Sequence, residues 1–220
     1  MPTPPVTPIH QGQPVLHTGT PLDRAQAAML LVHGRGASAR DILTLVPEFD
    51  RPGFAYLAPQ AAGHTWYPYS FLSPIARNEP YLSSALERLD EVVQQVLQAG
   101  IPAERVVLLG FSQGACLSAE YVARHARRYG GLAVLSGGLI GPDDTPRDYA
   151  GALDGTPVFL GCSDVDPHIP KARVLESADV FRRLGGQFTA RLYPGLGHTV
   201  NQDEIDAVKQ IMATVVGESG

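Results

Sequence analysis

Val106-Val107-Leu108-Leu109-Gly110-Phe111-Ser112-Gln113-Gly114-Ala115-Cys116 decides the fold of this chain. An unbroken apolar run stops at a serine flanked by glycines and restarts as an Ala-rich helical pattern. Gly110, Ser112 and Gly114 form G-x-S-x-G, the strand-turn-helix motif in which a serine sits at a strained backbone angle. Small flanking residues are needed there because neighbouring segments pass too close for a Cβ. The turn lifts the Ser112 hydroxyl above the strand ends. It also leaves the next backbone N–H groups at a helix N-terminus, facing any anion placed there.

Outward from this stretch, strand and helix patterns alternate. Ala27–Val32 is apolar throughout and ends at His33-Gly34-Arg35-Gly36. A strand apolar on both faces belongs inside a parallel sheet covered by helices. Val15–His17 reads as a short edge strand, and Phe54–Pro59 as another strand. Ser38 caps a short helix expected to run through Val46. Residues 60–78 form a long irregular stretch carrying Trp66, Tyr67, Tyr69 and Phe71, and such loops inside a compact domain are usually functional. Leu82, Leu86, Leu89, Val93 and Val96 recur at helical spacing from about Pro80 to Ala99. The helix after Ser112 is expected to reach about Tyr129. Strands follow at Gly131–Ser136, Pro157–Gly161 and Phe188–Tyr193. Helices carry Val174, Ala178, Phe181 and Leu184, and then Ile205, Val208, Met212 and Val215.

This alternation predicts an α/β fold: a mostly parallel sheet with helices on both faces. Ligands of such folds sit outside the carboxyl ends of the strands. Four segments fall there: His33–Gly36, Ser112, Asp164 with Asp166, and His198. A serine needs a base within hydrogen-bond reach, and the base needs an orienting group. The chain order Ser, Asp, His is that of the α/β-hydrolases. In this reading His198 takes the Ser112 proton and an Asp holds the imidazole. The oxyanion is met by the N–H of Gln113 and a second N–H from the turn around Arg35. Spacing alone does not separate Asp164 from Asp166.

Five motifs in order resemble the phospholipase/carboxylesterase branch of the α/β-hydrolases, which includes acyl-protein thioesterases and small bacterial carboxylesterases. They are His33-Gly34-Arg35-Gly36, Trp66-Tyr67, Gly110–Gly114 with Gln113 after the serine, Asp166-Pro167-His168-Ile169-Pro170, and Gly197-His198. The likeness runs from about residue 27 to 215. It implies a hydrolase of carboxylic esters without cofactor or metal, selects Asp166 as the acid because it precedes proline, and makes a homodimer an option. Expected substrate-binding residues are Trp66, Tyr67, Phe71, Gly138, His168 and Ile169. Acyl-protein thioesterases commonly carry an apolar residue where Arg35 stands. Its guanidinium is read either as solvated or as a partner for a carboxylate or phosphate on the substrate.

The remaining features restrict the alternatives. His33 is read as a hydrogen-bonded structural residue, and Ser136 lacks the following helix that a nucleophile turn requires. A metal site built from His33, His168, His198 and the aspartates has none of the spacings that metal motifs show. The 220 residues carry a formal charge of −5 with no Lys/Arg cluster, which argues against nucleic-acid binding. With 44% hydrophobic and 18% charged residues, the composition suits one globular domain. That domain is expected over 13–220, after a loose Pro-rich arm at 1–12. Cys116 and Cys162 read as small buried residues. The N-terminus lacks a signal-peptide pattern and no stretch reaches the length of a membrane span, so a cytoplasmic location is expected. The segment after Ser136 is too short for a large lid, so an open pocket for small or medium acyl or aryl esters follows.

Overall fold

The computed structural model describes residues 7–216. Its seven-stranded sheet has β1 (Val15–Gly19), β2 (Ala27–Val32), β3 (Phe54–Pro59), β4 (Val106–Phe111), β5 (Gly131–Leu135), β6 (Pro157–Ser163) and β7 (Gln187–Tyr193). The spatial order is β1-β3-β2-β4-β5-β6-β7, and only β1 runs antiparallel. The α/β-hydrolase fold expected above is thus present.

Alternation along the strands divides the core in two. Leu30, Val32, Leu108, Val134 and Leu160 point to the face covered by α4 (Tyr81–Gln98), α5 (Gln113–Arg124) and α6 (Lys171–Arg183). Met29, Leu31, Val107, Leu109 and Ala133 point to the other face, under α1 (Ala39–Leu43), α2 (Val46–Phe49) and α7 (Gln202–Val215). Every residue of β2 and β3 is buried, because helices cover both sides.

From β2 the chain moves one way to β3, then crosses back to β4 on the other side. The strand order therefore reverses between β2 and β4, where open α/β sheets form their ligand crevice. His33–Gly36 and Ser112 sit at the carboxyl ends of these two strands.

Four expectations change in detail. The helix begun at Ser38, with a capping box to Asp41, breaks into α1 and α2. Pro47 in the first turn of α2 has no N–H to continue α1. α5 ends at Arg124, and beyond it the N–H of Tyr129 is taken by Thr156 Oγ1 at 2.9 Å, which turns the chain into β5. The stretch 60–78 contains α3 (Ile75–Asn78) and a single turn at Ala62–His64. Residues 1–6 of the expected arm lie outside the described residues, but His10 is fully buried rather than loose. Its Nε2 donates to Trp66 O at 3.0 Å and its Nδ1 accepts the Ala62 N–H at 3.0 Å. No helix among the described residues is long and apolar enough to cross a membrane.

Candidate active site

Ser112 has φ 55° and ψ −121°, an unfavourable backbone region for a residue with a Cβ. Sequence accounts for its persistence. A Cβ on Gly110 would strike the Gly114 carbonyl, and one on Gly114 would strike the Val32 carbonyl. Only glycine lets β4, the first turn of α5 and the end of β2 pack this closely. The Ser112 N–H is held by Leu135 O at 2.9 Å.

His198 Nε2 lies 2.9 Å from Ser112 Oγ, and His198 Nδ1 lies 2.7 Å from Asp166 Oδ2. The second carboxylate oxygen, Oδ1, accepts the N–H groups of His168 at 2.8 Å and Ile169 at 3.1 Å. One carboxylate therefore caps its own turn and faces the imidazole. Its side chain is completely buried, which pushes its pKa up. The hydrogen bonds from His198, His168 and Ile169 outweigh that, and the carboxyl stays below its ordinary value.

Asp164 points elsewhere. Its Oδ1 accepts the Gly195 N–H at 2.9 Å, while Ser163 Oγ accepts that of Gly197 at 3.1 Å. Both brace the β7–α7 loop that carries His198. Spacing left the two aspartates open, and geometry brings only Asp166 to the imidazole.

Among the described residues, the backbone N–H groups of Arg35 and Gln113 have no acceptor. Two free donors beside a hydroxyl, an imidazole and a carboxylate in hydrogen-bonded series can draw a proton from the hydroxyl and hold an oxyanion.

The phospholipase/carboxylesterase family model matches residues 15–216. The chain belongs to the phospholipase/carboxylesterase family. By that membership it is a hydrolase of ester bonds, the class expected from its motifs. A phospholipase/carboxylesterase from Dyadobacter fermentans shares 40% identity, covers 94% of this chain and 99% of its own, and superposes with a TM-score of 0.89. Acyl-protein thioesterase 1 of Kluyveromyces lactis is 26% identical over 86% of this chain and 92% of its own length. Acyl-protein thioesterase 1 of Gibberella zeae is 33% identical over 55% of this chain, and the match spans only 52% of that relative. Arabidopsis thaliana SOBER1, at 20% identity and a TM-score of 0.72 over 87% of this chain and 100% of its own, shares the fold.

Within this family frame the cleft beside Ser112 measures about 410 Å³. Tyr67, Phe71, His168 and Ile169 line it as expected, together with Arg35, Gln113 and His198. Two expected residues do not. Trp66 is fully buried behind the wall, its Nε1 donating to His33 O at 2.9 Å. Gly138 leaves room for Arg173 and Ser177 of α6, not for a ligand. Cys116, Pro68, Tyr69 and Ser70 also line the cleft and were missed. Cys116 had a readable signal, since it stands one helical turn after Ser112.

Arg35 is exposed at the cleft, in keeping with its solvated reading, but its guanidinium is also tied to the protein. Its Nη1 donates to Pro68 O at 2.8 Å, and its Nη2 donates to Tyr67 O at 2.9 Å and Tyr69 O at 2.7 Å. The guanidinium is a clamp on the aromatic loop. His33 is structural as read: Nδ1 donates to Gly34 O at 2.8 Å and Nε2 accepts the Ala61 N–H at 3.1 Å, and burial lowers its pKa. Cys116 and Cys162 are free and buried, and burial pushes each thiol up to about 12. Among the described residues, no three His, Cys, Asp or Glu side chains gather as a metal would require.

Proposed function

We propose that this chain is a serine carboxylesterase acting on small to medium acyl or aryl esters through an acyl-enzyme. The observation that carries the reading is the 2.9 Å and 2.7 Å relay from Ser112 through His198 to Asp166. Ser112 Oγ attacks the ester carbonyl carbon while its proton passes to His198 Nε2. The negative charge that develops on the carbonyl oxygen is met by the Arg35 and Gln113 N–H groups. As the tetrahedral adduct collapses, the C–O bond to the alcohol breaks and the imidazolium returns the proton to the departing oxygen. Water then attacks the acyl-Ser112 ester by the same route, with His198 as base, releasing the acid. Asp166, ionised and buried, fixes the imidazole with Nε2 facing the serine and stabilises the imidazolium.

Substrate size follows from the cleft. About 410 Å³ lies near the lower end for small-molecule sites. The segment after β5 supports an open approach. Leu139 and Ile140 are buried and Arg173 Nη1 donates to Leu139 O at 2.8 Å, so this segment packs down on α6. An acyl-thioesterase or lysophospholipase is the second reading, favoured by the relatives named acyl-protein thioesterase 1. A non-catalytic binding module has no use for the three-residue relay.

Labelling with a fluorophosphonate probe tests the reading. Wild-type protein should be labelled stoichiometrically and Ser112→Ala not at all, and an unlabelled wild type defeats the proposal. Matched esters and thioesters of increasing chain length then separate the two substrate readings.

A further inference from the structure

The residues that offer the two free N–H groups share a second property. Arg35 and Gln113 stand on different strand ends, yet their side chains reach for the same carbonyl. Tyr67 O accepts Arg35 Nη2 at 2.9 Å and Gln113 Nε2 at 2.8 Å. A carbonyl oxygen has two lone pairs, so these two donors satisfy it completely. Gln113 uses its other end as well, its Oε1 accepting the Trp66 N–H at 3.0 Å. Trp66 Nε1 in turn binds His33 O, two residues before Arg35. A closed ring of hydrogen bonds therefore runs from the end of β2, through residues 66–69, to the first turn of α5.

We propose that the side chains of Arg35 and Gln113 are positioning residues that hold the two oxyanion-facing N–H groups at fixed separation through the Tyr67 carbonyl. This rests on the serine-esterase reading above. The physical need is plain. Residues 33–37 form an irregular turn, and a donor on a mobile turn must be reoriented at the moment charge develops. Donors fixed in advance avoid that cost. Arginine suits the task because its planar guanidinium spans three successive carbonyls, which a point-charge ammonium does not. The same ring explains why Gln follows the nucleophile: Gln113 offers an acceptor to Trp66 and a donor to Tyr67, and its side chain is buried against both.

The test compares kcat and KM on a neutral aryl ester, and the affinity of an aryl trifluoromethyl ketone, whose hemiketal oxyanion needs the two N–H groups. Arg35→Met and Gln113→Met should each lower kcat by about 10- to 100-fold and weaken the ketone by a similar factor. KM should move less than threefold, and Arg35→Lys should recover part of the loss. The double variant should be no more than about threefold worse than the poorer single, because both break one ring. Multiplying losses, or ketone affinity unchanged in Arg35→Met and Arg35→Lys variants that melt like wild type, overturns the proposal. A wild type without Ser112-dependent turnover instead defeats the esterase reading itself.

Discussion

Ser112 Oγ and His198 Nε2 meet at 2.9 Å although 86 residues separate them in the chain. β4 ends at Phe111, just before the serine, while β7 leads to the histidine three strands away across the sheet. The β7–α7 loop must lean back over β5 and β6, and the Asp164 and Ser163 bonds hold it there. Groups that act as one unit are not additive when deleted. Ser112→Ala and His198→Ala should each lower kcat by roughly 10⁴–10⁶, and the double variant should be no slower than the worse single. Steady-state turnover of an aryl acetate measures this, and a double variant slower by a further factor of 100 would show that the two act separately.

The two aspartates should part cleanly. Asp166→Asn removes the charge facing His198 Nδ1 and lets the imidazole present the wrong tautomer, so kcat should fall by roughly 10³–10⁴. Asp164→Asn keeps an oxygen for the Gly195 N–H and should cost less than tenfold. The depressed Asp166 pKa adds a stability signature. Its contribution is present above the unfolded carboxylate range and is lost as pH falls through the lower folded value. Melting temperatures between pH 2 and 6 should therefore show a shallower acid decline for Asp166→Asn than for wild type.

The fold and the reacting groups were legible because each is enforced by local sequence. Apolar strands buried on both faces, the glycines around Ser112 and the strand-end placement of His198 each leave a one-dimensional mark. Trp66 and Gly138 were misread because neighbours along the chain need not face the same way. Tyr67 lines the cleft while Trp66 turns its indole to His33 O, and only three-dimensional packing against α6 explains Gly138. The clamp formed by Arg35 was illegible for a related reason. Its partners are three backbone carbonyls, and a carbonyl carries no residue identity.

Trp66 and Phe71 should accordingly fail in different ways. Trp66→Phe deletes the indole N–H and leaves His33 O buried without that donor, costing about 1–3 kcal/mol. Its thermal midpoint should drop while its ranking of acyl chain lengths stays that of wild type. Phe71→Ala removes part of the cleft wall, so kcat/KM should shift toward longer acyl chains. A chain-length panel from acetyl to octanoyl, run beside thermal melts, separates the two. A reordered panel for Trp66→Phe would return the indole to the cleft.

Glu204 predicts a pH dependence of stability that is independent of catalysis. It lies in the first turn of α7, fully buried, with Oε2 accepting the Asn201 N–H at 2.9 Å and Oε1, in the notch left by Gly161, without a partner among the described residues. Burial pushes its pKa up to about 7, aided by the nearby charge of Asp203 and opposed by the Asn201 N–H. Between the unfolded value of 4.5 and about 7, the folded state holds a proton that the unfolded chain releases. Stability must then fall as pH rises through this window and level off above it. The full effect corresponds to about 3 kcal/mol, or roughly 6–12 °C in midpoint for a chain of this size. Glu204→Gln keeps an acceptor for Asn201 but cannot ionise, so its melting temperature should lack that decline between pH 5 and 8. Parallel pH profiles for the variant and wild type would mean that Glu204 is already ionised in the fold, its orphaned oxygen reached by solvent.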